Sequence, residues 1–105
     1  MITLIAAAAL SAAAVQAEAI VQPRKTYAAC LSAIVKKSEQ DKASKSAFET
    51  ALKAGCKTEE AAFRKAVVDY DVKAGATAAA ANQGAQAQID DYLAETQARY
   101  EAPQE

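Results

Sequence analysis

Residues 24–37 read Arg-Lys-Thr-Tyr-Ala-Ala-Cys-Leu-Ser-Ala-Ile-Val-Lys-Lys. Tyr27, Cys30, Leu31, Ile34 and Val35 recur at i, i+3, i+4, i+7 and i+8, the signature of one apolar helical face. Pro23, just upstream, is read as the last breaker before a helix from Arg24 to Lys37. Downstream, Ser38 to Lys45 is polar and reads as a connection. Ser46 and Glu49 fit a capping box for a short helix with Phe48, Ala51 and Leu52 on its apolar face, and Gly55 is expected to end it in a left-handed conformation. Thr58 is the expected N-cap of a third helix, with Glu59 and Glu60 complementing the helix dipole. Its buried stripe is Phe63, Ala66, Val67, Tyr70 and Ala74, and Gly75 closes it. A fourth helix is expected from Thr77 to Tyr100, with a stripe of Ile89, Tyr92, Leu93, Thr96 and Tyr100. Its Ala/Gln-rich first half contains Asn82-Gln83-Gly84 and is equally compatible with a turn or frayed coil. No strand alternation or hairpin dipeptide occurs. The fold class is therefore all-α, a small bundle of three or four helices.

Upstream of this region lies a different kind of segment. Ile2 to Val15 is apolar apart from Thr3 and Ser11, and it leads into Val15-Gln16-Ala17-Glu18-Ala19. That pattern is a secretory signal, residues 1–19, with cleavage after Ala17 or Ala19. Met1-Ile2-Thr3 has no Lys or Arg, so the amino terminus alone supplies the leading charge or the start lies upstream. An uncleaved anchor fits less well, because spanning a bilayer takes about 20 apolar residues. A buried core helix fits least. The expected organisation is a signal over 1–19, one helical domain over 20–102 and a disordered tail over 103–105. The expected location is extracytoplasmic, either periplasmic or secreted.

Cutting after Ala19 leaves 86 residues, 21 of them Ala. Ala favours helix and lets helices approach closely, but it adds little burial energy, and a domain this small is marginally stable. Cys30 and Cys56 are the only cysteines, and an even count in an exported chain favours a disulfide between them. That bond would tie the first helix to the turn between the second and third. A C-x-x-C redox spacing is absent, as is His.

The missing histidines also remove His-based triads and the commonest neutral-pH general base. No P-loop or G-x-G-x-x-G phosphate-binding motif occurs. Asp69-Tyr70-Asp71 opens like a calcium loop, but Lys73, Ala74 and Ala80 occupy positions that loop needs for ligands and a glycine. Glu59-Glu60 and Asp90-Asp91 are adjacent pairs that point about 100° apart on a helix, so neither forms a shared carboxylate site. The sequence therefore offers no catalytic, cofactor-binding or metal-ligating residues, no evident small-molecule ligand and no nucleic-acid platform.

Charge is unevenly distributed along the chain. Residues 20–73 carry 11 basic and 7 acidic side chains, whereas residues 74–105 carry 1 and 5. The simple reading is an acidic last helix packed beside basic earlier ones. The sharper reading is a basic face, with Lys36, Lys37, Lys42 and Lys45 as a candidate patch for weak contact with an anionic membrane surface. Opposite charges at i, i+4 (Asp41–Lys45, Glu49–Lys53, Glu60–Arg64, Lys65–Asp69, Asp69–Lys73 and Glu95–Arg99) mark solvated helix faces. In size and class the chain is similar to small periplasmic acid-stress chaperones, which are also helical with one disulfide. That similarity carries no residue assignments. The leading functional expectation is a non-enzymatic interaction protein that binds an unknown protein or envelope component. The alternative is an acid- or stress-responsive periplasmic holdase.

Overall fold

Four helices follow one another along the chain in the computed structural model, which describes the backbone of residues 2–103 and the side chains of residues 18–103. They are α1 (Ile2–Gln40), α2 (Lys45–Gly55), α3 (Lys57–Lys73) and α4 (Ala78–Arg99). The expected signal, up to Ala17, lies outside the described side chains. The last two residues of the expected tail lie outside the described residues altogether.

The bundle is organised along α1. Ile34 meets Gly55, Cys30 meets Cys56 and Tyr27 meets Phe63, so α2 and α3 run back antiparallel along α1 with only Cys56 between them. Helix α4 then returns parallel to α1, with Tyr92 against Tyr27 and Tyr100 against Ser38, and packs mainly on α3. One continuous core joins Ile20, Tyr27, Leu31, Phe48, Leu52, Phe63, Val67, Ala85, Ile89 and Tyr100. The expected stripes thus face inward, although Ala74 is an exposed helix end rather than a core residue.

Several expected boundaries are corrected. Pro23 lies inside α1 instead of preceding it. An interior proline costs about 3 kcal/mol by removing one donor and crowding one carbonyl. The apolar face that buries Ile20, Tyr27 and Leu31 continues across it and offsets that cost. Helix α1 also extends to Gln40, past the expected end at Lys37, because Ser38 is buried beneath Tyr100 and keeps its helical geometry. Lys42, at φ 53, reverses the chain in the left-handed region. The Lys42 amide donates to the Glu39 carbonyl at 3.2 Å and the Ala43 amide to the Ser38 carbonyl at 2.9 Å, which closes a Schellman-type end.

Ser44, not Ser46, caps α2. It sits in extended backbone and its hydroxyl accepts from the Ala47 amide at 3.1 Å, while the Ser46 carbonyl accepts from the Thr50 hydroxyl. Gly55 is not left-handed. It ends α2 where a Cβ would stand 2.6 Å from the Ile34 Cδ1, so its role is close approach to α1. Thr58 is not the cap of α3 either. Helix α3 begins at Lys57 behind Cys56, whose sulfur is committed to the disulfide and makes no cap bond. Gly75 does end α3 as expected, at φ 107, with its amide on the Val72 carbonyl and that of Ala76 on the Asp71 carbonyl.

Helix α4 is continuous through Gly84, which resolves the ambiguity of its first half in favour of helix. Thr77 caps it by accepting from the Ala80 amide at 3.1 Å, and Ala81 and Ala85 are fully buried. Small side chains there let α4 lie close to its neighbours, so the weakly apolar segment still gains packing. Of the six expected ion pairs only Lys65–Asp69 forms within 4.0 Å among the described residues, at 2.7 Å; Asp41 pairs backward with Lys37 at 3.3 Å instead of forward with Lys45. Helix α1 runs through Lys37 to Gln40, which puts that pair one helical turn apart, while the chain reversal at Lys42 separates Asp41 from Lys45. Exposed pairs of this kind contribute little, and Arg64 donates to Gln86 instead of meeting Glu60.

Tyr100 clamps the corner between α1 and α2. Its ring stacks on Phe48 with centroids 4.0 Å apart, and its hydroxyl donates to the Ala43 carbonyl at 2.5 Å, with a longer contact to the Ser38 carbonyl at 3.3 Å. Tyr100→Phe keeps the ring and leaves the Ala43 carbonyl without this donor, so a loss of about 1–2 kcal/mol is expected. Urea unfolding followed by circular dichroism measures it; an unchanged midpoint would show that water replaces the hydroxyl without loss.

Candidate functional site

The main concave feature lies on one side of α3. Ala62, Lys65, Ala66, Asp69, Tyr70 and Lys73 fall at i, i+3, i+4, i+7, i+8 and i+11 and therefore share one helical face. Because α3 runs antiparallel to α1, the far end of that face reaches Ala19, and together these residues enclose a cleft of about 370 Å³. The volume lies in the range of ligand sites. The hollow follows from side-chain size: Ala62 and Ala66 leave empty the space that larger residues would fill.

The cleft lining combines alanine methyl groups and the Tyr70 ring with the charged side chains of Lys65, Asp69 and Lys73. Lys65 Nζ lies 2.7 Å from Asp69 Oδ2, but both side chains are more than half exposed, at 77% and 53%, so solvent screens the pair. Among the described residues, no three His, Cys, Asp or Glu side chains converge to hold a metal ion, and no helix is long and apolar enough to cross a membrane.

The cysteines identified from the sequence come together. Cys30 and Cys56 are bonded, with Cα atoms 6.0 Å apart, and they join α1 to the α2–α3 junction. The chain-entropy effect of closing this span is roughly 3.5 kcal/mol.

The four lysines of the candidate patch are all exposed at the α1–α2 corner. Lys36 and Lys37 lie in the last turns of α1, Lys42 in the reversal and Lys45 at the start of α2. Glu39 and Asp41 are interleaved with them, and Asp41 engages Lys37 at 3.3 Å. The corner is therefore a mixed-charge surface. The last helix packs mainly on α3, which balances four basic against four acidic side chains; an Arg64 N–H donates to Gln86 Oε1 at 2.6 Å, and Gln86 Nε2 donates to Asp90 Oδ1 at 2.8 Å.

The most perturbed titrating group belongs to the core. Tyr27 is 1% exposed, and its hydroxyl is pushed up to about 12 by burial, then by the charge of Glu60, with Arg64 opposing and Asp90 reinforcing. A phenol held this firmly in its neutral form is a structural side chain at neutral pH. The cleft itself escaped sequence reasoning, which assigned Ala66 and Tyr70 to the buried stripe. Its available signal was Ala62 and Ala66 at i, i+4, alternating with the charge ladder Lys65, Asp69 and Lys73. No protein-family model, curated protein or solved structure matches this chain.

Two outcomes are expected. Replacing both cysteines by Ala lowers unfolding stability by roughly 3.5 kcal/mol in the chain-entropy account, read as a shift of the denaturant midpoint. In an alkaline titration followed by tyrosine absorbance, a Tyr27 step near pH 12 is expected and should be missing from Tyr27→Phe. The raised folded value stabilises the protein fully below pH 10, and that contribution is lost as pH rises from 10 to about 12. Tyr27→Phe should flatten stability over that window.

Proposed function

We propose that this chain is an exported, non-enzymatic interaction protein of the cell envelope or periplasm, and that the hollow along α3 is where it meets a protein or envelope partner. The cleft is the observation that carries the reading: a hollow lined by alanine methyl groups, the Tyr70 ring and charged side chains, at the edge of a rigidly stapled helix pair. A surface of this kind accepts an apolar side chain or short segment from a partner, with polar contacts at the rim to orient it. The Cys30–Cys56 bond supports the compartment, because such bonds persist where thiols oxidise. The alanine-rich segment ahead of Ile20 supports export. The alternative, an acid-responsive holdase, has less behind it. The described carboxylates are exposed or half-buried, and the buried polar residues are Ser38 and Thr96, so protonation would disrupt few core interactions.

The reading is tested by placing a photo-crosslinking amino acid at Ala62, in the cleft lining, and separately at Ala94, on the exposed side of α4. In cells of the source organism, the Ala62 probe should capture a discrete envelope species that the Ala94 probe does not. Identical patterns at both positions, or recovery of the protein only from the cytoplasm, would overturn it.

A further inference from the structure

We infer that the chain is processed at the bond between Ala19 and Ile20, and that the mature fold is built around an amino terminus at Ile20. The inference rests on the export reading above, and it selects one of the two bonds that the small-x-small pattern offers. The first observation is burial. Glu18 and Ala19 are exposed, whereas Ile20 is 9% exposed and is the first described residue of the continuous core. A cut after Ala19 therefore removes no described core residue, and a cut after Ala17 leaves two exposed residues on the new end.

The second observation is Pro23, independent of the first. In the uncut chain it sits inside α1, where it has no N–H to give the Ala19 carbonyl four residues back and where its ring crowds that carbonyl. A helix that starts at Ile20 changes this completely. Residues 20–23 then hold the four amide positions that have no partner within any helix, and Pro23 lacks an N–H that would have gone unused. The crowded carbonyl leaves with the released segment. A start at Glu18 retains Ala19, its carbonyl and the conflict with Pro23. Ala17-Glu18-Ala19 also supplies Ala at both recognition positions, while the other site places the larger Val15 there.

Processing has a consequence for the cleft. Ala19 closes its α1 end, beside Tyr70 and Lys73. Removal of Ala19 takes away the one described α1 residue that lines the hollow, so in the mature chain the hollow is bounded by the α3 face from Ala62 to Lys73, with the new α-ammonium of Ile20 at its former α1 end. The Ala19–Ile20 bond lies within continuous helix in the folded chain, so hydrolysis precedes formation of α1, during or directly after export.

Intact mass and amino-terminal sequencing of the full chain, expressed in an exporting cell, test the inference. The expected product begins Ile-Val-Gln-Pro and has lost residues 1–19. A product beginning Glu-Ala-Ile-Val would overturn the inference while leaving the export reading in place. An uncut chain recovered from the cytoplasm would overturn both. Ala19→Leu provides a second check: uncut precursor, or a shift of the start to Glu18, is expected. A start at Ile20 in that variant would show that the residue before the bond does not direct the cut, and would count against the assignment.

Discussion

The fold depends on three rings that meet where three helices cross. Tyr27 of α1 stacks on Phe63 of α3 at 5.7 Å, and Tyr92 of α4 stands edge-on to both, at 5.9 and 5.7 Å. In a chain whose commonest residue is Ala, few side chains are large enough to fill the space between helices. Each aromatic pair adds about 0.5–1.5 kcal/mol beyond area burial, and the rings also fix the axial register of all three helices at one level. The Arg24 guanidinium lies 5.9 Å from the centre of Phe63 and shields the outer side of the cluster. Cys30 follows Tyr27 by three residues and so shares its face, which puts the disulfide one turn from the rings. Covalent and aromatic restraints therefore act at nearly the same place.

A second, smaller centre holds the opposite end. Phe48 and Tyr100 stack there, and the Tyr100 hydroxyl reaches the carbonyls of the α1–α2 corner. Elsewhere the helices touch through small residues, Gly55 of α2 between the two centres and Ala81 and Ala85 of α4 on the other side of Tyr92, toward the start of that helix. Small residues bring backbones close but cannot choose a register. The choice is left to the bulky groups at each end, and Lys42 accepts a left-handed backbone so that the corner can close. The same economy of large side chains leaves the surface of α3 underfilled at Ala62 and Ala66. The cleft and the sparse core have one origin, an alanine-rich composition that builds helices readily and fills volume poorly.

Much of this architecture was legible in the residue pattern. Four helices, their inward stripes, the Gly75 stop and the Cys30–Cys56 pairing follow from spacing, capping chemistry and cysteine count. Local signals were less reliable at helix ends, where several arrangements compete within about a turn. Ser46 and Thr58 are as good caps as Ser44 in isolation. Ser44 prevails because α1 runs on to Gln40 and shortens the connection, and Thr58 loses its role because the disulfide holds the chain break at Cys56.

Sequence by itself determined what depends on the order of residues: helical periodicity, an alanine-rich first segment with small residues at its end, two cysteines and a chain without histidine. Only the tertiary structure decided what depends on neighbours distant in the chain. It placed Tyr100 over a corner some sixty residues earlier, made Gly55 a contact instead of a turn, carried α4 unbroken through Gly84 and left the hollow on α3. The physical reason is that local propensities differ by fractions of a kilocalorie per residue, while burial of a ring or exclusion of a clash is worth several times more.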